Sequence, residues 1–240
     1  LQASASTRDY SDDQRRLFET NFWGVVSGSL EAVKHLRSRG GALINVGSVV
    51  SDRAVPPQGI YGASKHAVKG FTDTLRMELE DEKAPISVTL IKPGAIDTPF
   101  SKNAKSYMLS EPQHVPPVYG PEAVANAILY CAATPVRDVF VGGGGKMQAA
   151  MGQWAPRLTD WLMESTAIPG MESGRPHRPR DENALDRPSE RLATRGDYPG
   201  HVRHSSLYTE ASLHPMLAGA AMLGLGLVLR SALAGNRRRM

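Results

Sequence analysis

Ala42-Leu43-Ile44-Asn45-Val46-Gly47-Ser48, followed thirteen residues after its serine by Tyr61-Gly62-Ala63-Ser64-Lys65, is the stretch on which fold and chemistry both turn. The run 42–46 is short and mostly apolar and sits between Gly40-Gly41 and Gly47, the pattern of a strand buried in a parallel sheet. Ser48 then stands at the carboxyl end of that strand, where open α/β sheets bind their ligands. After a loop over 49–59, residues 60–80 carry Val68, Phe71, Leu75 and Leu79 on one stripe, which predicts a helix with Tyr61 and Lys65 in its first turns. Residues four apart on a helix share a face. The Lys65 ammonium is therefore expected to lower the Tyr61 phenol from its reference near ~10. Such a phenol beside a serine hydroxyl is an acid/base apparatus suited to carbonyl–alcohol chemistry.

Working outward, Asp12 or Asp13 is a candidate cap for a helix running to about Arg37, with Asn21 inside it and Leu17, Phe18, Phe22, Val25, Leu30, Val33 and Leu36 mostly on its buried side. Downstream, residues 86–91 repeat the buried-strand pattern and lead into Pro93-Gly94-Ala95-Ile96-Asp97-Thr98. There Pro and Gly are expected to end the strand and turn the backbone with its amides open to a ligand.

Asn21, Gly47-Ser48, Tyr61-Gly62-Ala63-Ser64-Lys65 and Pro93 to Thr98, in this order and spacing, closely resemble the short-chain dehydrogenase/reductase family over roughly residues 10–150. The resemblance implies an α/β, Rossmann-like doubly wound parallel sheet. It implies a nicotinamide cofactor, NAD or NADP, and a small ketone, aldehyde or secondary alcohol as substrate. Tyr61 would be the acid in reduction and the base in oxidation, and Ser48 would hold the substrate oxygen. Lys65 would tune the tyrosine and hydrogen-bond the nicotinamide ribose; Asn21 would anchor a proton-relay water through its main chain. Pro93, Gly94, Ile96 and Thr98 would line the nicotinamide end of the cofactor. Family members often form dimers or tetramers through the helices bearing Asn21 and Tyr61, so a homo-oligomer is expected of the full-length protein.

The family also carries a Gly-rich phosphate turn after its first strand and an Asn-Asn-Ala-Gly segment ending its fourth. Neither motif is found in this sequence, which opens at Leu1. The expectation is a sheet lacking its first strands, with an open edge at the strand of Leu43 and weak dinucleotide binding by these 240 residues. Gly142-Gly143-Gly144-Gly145-Lys146 lacks the Ser or Thr of a phosphate loop and reads as a flexible strand-to-helix turn.

The net charge of +4 resides mainly beyond residue 150, where 12 Arg face 9 acids; residues 1–150 carry 16 Lys and Arg against 15 Asp and Glu. A near-neutral catalytic part gives no electrostatic footprint for nucleic acid. The single Cys131 excludes an intrachain disulfide and favours a reducing, cytoplasmic setting, and its place in a helical pattern over 122–133 reads as a buried thiol. By the family resemblance residues 100–119 would form a substrate lid with Met108, Leu109 and Tyr119 as candidate walls, the alternative being a surface loop with ordinary packing. Pro121 opens a helix, 139–141 form a last strand, and 147–163 a closing helix interrupted near Pro156, its Trp154 and Trp161 packing in the core or against another subunit. Residues 1–163 thus read as the catalytic and substrate-binding part. Residues 164–214, rich in Pro, Arg, Asp, Ser and Gly, read as a disordered or loosely packed linker. His201 and His204 within it have no third partner for a metal. Residues 215–240 read as a hydrophobic helix with a basic end, and 216–234 are a candidate for membrane contact or subunit docking. The competing functional readings are a non-catalytic remnant acting as a binding module and a membrane-associated protein.

Overall fold

The computed structural model describes residues 11–179, 182–189 and 192–237. The helix expected over 12–37 is present in three parts: α1 (Ser11–Phe18), a π-helical turn (Glu19–Trp23) and α2 (Gly24–Leu36). Asp13 lies within the first turn of α1, and its carboxylate pairs with Lys105 at 3.0 Å and accepts the Tyr107 hydroxyl. The strand read from 42–46 is β1 (Gly41–Val46). Gly40 immediately precedes it at φ +73, where an added Cβ would stand 3.0 Å from the Pro85 carbonyl, so this tight approach requires glycine. A 3₁₀ turn (Val49–Ser51), α3 (Gly59–Asp81) and β2 (Ile86–Pro93) follow. β2 runs parallel to β1 in register from Gly41↔Ile86 to Val46↔Ile91, and it continues through Pro93, two residues past the expected end.

Beyond β2 come β3 (Ala95–Ile96), α4 (Phe100–Asn103), β4 (Ser110–Pro112), β5 (Val118–Tyr119), α5 (Pro121–Ala133) and β6 (Asp138–Val141). β6 completes a parallel sheet of order β1-β2-β6. Among the described residues β1 pairs with β2 alone. Val33, Leu43, Leu75, Leu79 and Val88 pack α2 and α3 on one face, and Ile91, Ala127, Cys131, Val139 and Val141 pack α5 on the other. Each such side chain removed from water is worth about 1.5–3 kcal/mol, so this three-layer core is what fixes the strand ends in space. Two buried polar groups tie the layers together. Asn45 accepts from Ser29 of α2 at 3.2 Å and donates to Thr72 of α3 at 3.0 Å. Arg76 of α3 donates to the carbonyls of Val88 at 2.8 Å and Arg137 at 3.1 Å and pairs with Asp73 at 2.7 Å.

The remaining elements are α6 (Gly143–Trp154), α7 (Pro156–Met171), β7 (Glu172–Pro176), β8 (Val202–Arg203), α8 (Leu207–Leu213) and α9 (Pro215–Arg237). They correct one expectation and narrow two others. Residues 164–214 are not a loose linker where they are described. α7 reaches Met171, β7 pairs antiparallel with β4, β8 adds to β5, and α8 anchors Leu213 and Thr209 in the core. A few apolar or hydroxyl side chains at element ends suffice for this, which is why a polar average composition concealed it. Trp154 and Trp161 are 85% and 61% exposed, so neither is core, because both lie on the outer faces of α6 and α7. Of the glycine cluster, Gly142 alone makes the turn, at φ +105, and the next three open α6.

The terminal hydrophobic segment is helical as α9, and Met216, Leu217, Met222, Leu223 and Leu225 are all exposed on it. Side chains beyond residue 226, including those of the membrane candidate at 227–234, lie outside the described residues. Among the described residues no helix is long and apolar enough to cross a membrane.

Candidate active site

The carboxyl ends of β1 and β2 and the first turns of α3 converge on one point. β1 delivers Ser48 two residues past its end, in extended backbone, as the N-cap of the 3₁₀ turn. Its side chain accepts from the Val50 amide at 3.3 Å, while the Ser48 amide donates to Ser51 Oγ at 3.1 Å. This reciprocal cap holds the serine in one orientation. Tyr61, one turn into α3, is buried. Burial pushes its hydroxyl up from the ordinary phenol value, and a hydrogen bond with the Ser48 side chain counters part of that rise. Lys65 lies 6.0 Å from the Tyr61 ring centroid and donates to the Val46 carbonyl at 2.9 Å. Its ammonium is thus engaged on the end of β1, one turn along the helix from the phenol. Burial lowers the lysine to about 8.

Asn21 occupies the middle of the π-helical turn. Its side-chain amide donates to Ser64 Oγ at 3.3 Å, and Ser64 donates to the Tyr61 carbonyl at 2.7 Å, so one polar path joins the turn to the helix of the tyrosine. A π-helical turn breaks the regular carbonyl ladder, and such turns concentrate at functional sites.

Pro93 pairs with Val141 of β6, and the Gly94 amide donates to the Val141 carbonyl at 2.9 Å. A Cβ at Gly94 would approach that carbonyl to 3.3 Å and Val49 to 3.9 Å. The loop then turns through β3, with Asp97 donating its amide to the Tyr119 carbonyl at 2.8 Å and Thr98 to that of Ile96 at 2.8 Å. All eight residues singled out in the sequence therefore lie on the strand ends or on the helices bordering them.

The walls were less legible. Tyr61 sits in a cluster with Val50, Val55, Met108, Ala167 and Met171, bordered by Val49, Val115 and Met163, and Phe100 lies over its ring at 5.7 Å. Met108 is one of the expected walls. Leu109 is not, being 92% exposed, and Tyr119 packs instead in the α5 cluster. Val50, Val55 and the α7 residues carry no signal in the sequence beyond being apolar; only the fold brings them to the tyrosine. Lys92 went unnoticed as well. Buried one residue before Pro93, it pairs with Asp52 at 3.1 Å and lies 4.1 Å from the Phe140 ring centroid, tying the end of β2 to the loop after Ser48.

The residues present fit the nicotinamide and ribose end of a dinucleotide: an ammonium with further donors to give, a glycine turn at a strand end and a hydroxyl pair. Among the described residues the glycine cluster offers no second end. A Cβ on Gly142 would lie 2.8 Å from the Tyr119 ring and one on Gly145 2.0 Å from Val49, so this glycine cluster is closed by the chain's own packing and has no face for a pyrophosphate.

A family model described as short chain dehydrogenase matches residues 2–108. The chain is 46% identical over 217 residues to the uncharacterized oxidoreductase YxnA of Bacillus subtilis (strain 168), covering 89% of this chain and 61% of that protein. It is 34% identical over 172 residues to the 11-beta-hydroxysteroid dehydrogenase-like 4A of Arabidopsis thaliana, covering 71% and 52%. A crystal structure of a short chain dehydrogenase from Burkholderia cenocepacia J2315 in complex with NADP superposes with a TM-score of 0.56 at 23% identity, over 67% of this chain and 63% of that one, a likeness of fold alone. The chain thus spans less than two thirds of the length of these relatives. With the serine, tyrosine and lysine gathered at the ends of parallel strands, and with relatives of this kind along most of its length, the chain belongs to the short-chain dehydrogenase/reductase family.

Proposed function

We propose that this chain supplies the catalytic and substrate-binding part of an oxidoreductase that interconverts a ketone or aldehyde with the corresponding alcohol. The observation that carries the reading is the Tyr61 hydroxyl, buried in an apolar cluster, hydrogen-bonded to Ser48 and one turn from Lys65. A bound NAD or NADP supplies the hydride in reduction and accepts it in oxidation.

The chain's own residues manage orientation and the proton. Ser48, capped at its backbone, holds the substrate oxygen against Tyr61. Tyr61 gives its proton to that oxygen as the carbonyl is reduced and takes it back as the alcohol is oxidised. Lys65 holds the ribose of the cofactor through donors that remain after its bond to Val46. Asn21 offers the main chain of the π-helical turn to a water that renews the proton. Val55, Met108, Ala167, Met171 and Phe100 exclude bulk water and favour a substrate with an apolar body.

The test is titration with NADH and NADPH by nicotinamide fluorescence, followed by carbonyl reduction assays on the full-length protein. Tyr61→Phe is expected to lower kcat by at least about 100-fold, within the range for losing a general acid, while leaving dinucleotide affinity within about threefold. An unchanged rate refutes the role of Tyr61.

A further inference from the structure

Residues 195–203 lie about a hundred positions beyond Thr98 and outside the matched family region, yet they reach the loop proposed to hold the nicotinamide. β8 pairs with β5 from Val118↔Val202 to Tyr119↔Arg203, and β5 pairs with β3 from Ala95↔Val118 to Ile96↔Tyr119. Ile96 is thus held at one end of a three-strand parallel frame whose outer strand comes from the distal segment. Asp97, buried, is the second link. Its carbonyl accepts from the Gly196 amide at 3.2 Å and its carboxylate from the Tyr198 amide at 3.3 Å. The fit leaves no slack, since a Cβ on Gly196 would stand 2.6 Å from the Asp97 carboxylate and 2.8 Å from the Thr98 carbonyl. Next to it, Asp197 pairs with Lys102 of α4, the helix whose Phe100 covers Tyr61.

We propose that residues 195–203 are a clamp that sets the loop Pro93 to Thr98 for the nicotinamide end of the cofactor, with Asp97 as its positioning residue. The proposal rests on the reading of that loop as part of the cofactor site. A buried carboxylate satisfied by a backbone amide of a distant segment fixes both partners, because either one alone would be left unpaired.

The test compares, in the full-length protein, the wild type with Asp97→Ala, Gly196→Val and Asp97→Asn, reading amide hydrogen exchange without cofactor and NADPH affinity by fluorescence. Asp97→Ala and Gly196→Val are expected to speed exchange at the Asp97 and Thr98 amides about tenfold and weaken NADPH about tenfold, leaving β1 and β2 amides protected as the control for folding. Asp97→Asn keeps an acceptor and is expected to restore both. Unchanged exchange at Asp97 and Thr98 in the folded variants overturns the clamp whatever the cofactor does. Faster exchange in a wild-type background that binds no dinucleotide overturns the nicotinamide assignment, reducing the contact to a structural frame.

Discussion

Lys65 carries the most direct titration signature in the molecule. Burial lowers it to about 8 in the folded chain, against 10.5 when solvated. Below about 8 the ammonium is present in both folded and unfolded states, and the fold bears its desolvation. Between about 8 and 10.5 the unfolded chain holds more protons than the folded one, so this group makes stability rise with pH. Thermal melts of the wild type and Lys65→Met are therefore expected to diverge in that window, the wild type gaining on the variant; parallel curves would place the lysine in solvent. This is also where the sequence was legible only in part. Spacing put Tyr61 and Lys65 on one face correctly, but where the ammonium points depends on the Val46 carbonyl nineteen residues away, which no local pattern encodes.

At the level of elements, the strands around Leu43 and Ile91 and the helix of Tyr61 were readable because apolar runs bounded by Gly and Pro, and an apolar helical stripe, have few alternative folds. The 3₁₀ turn after Ser48 was not, since its cap uses Ser51, an unremarkable residue in a loop. What presses on this turn comes from α6. Gly145 faces Val49 so closely that a Cβ would fall 2.0 Å from the valine methyl. Gly145→Ala is expected to cost about 1–3 kcal/mol as an overpacked contact and to displace the serine turn. It should therefore raise KM for substrate more than it changes NADPH affinity, measured by steady-state kinetics beside a fluorescence titration. Equal kinetics would show that α6 yields instead.

Across the whole molecule, the long helices and the strands of the main sheet were legible, whereas short strands such as β5, β7 and β8 were not, because they carry too few residues for any period to show. What holds the layers is likewise long-range. Arg76 joins α3, β2 and the entry to β6 through two carbonyls and Asp73. Arg76→Ala is expected to lower unfolding stability by about 1–3 kcal/mol, since it leaves the carbonyls of Val88 and Arg137 without their donor. Denaturant titration checks this, and a loss below about 1 kcal/mol would mean that the two carbonyls do not depend on it.

The contact between Asp97 and the amide of Tyr198 also bears on the chain while it is being made. When Thr98 has left the ribosome, about a hundred further residues must be translated before the partner of Asp97 exists. At roughly 5–20 residues per second the nascent loop waits on the order of 5–20 s with its carboxylate and the open side of β5 unpaired. For that interval chaperones and proteases meet a chain whose Ser48, Tyr61 and Lys65 are already synthesised but whose loop is still unframed.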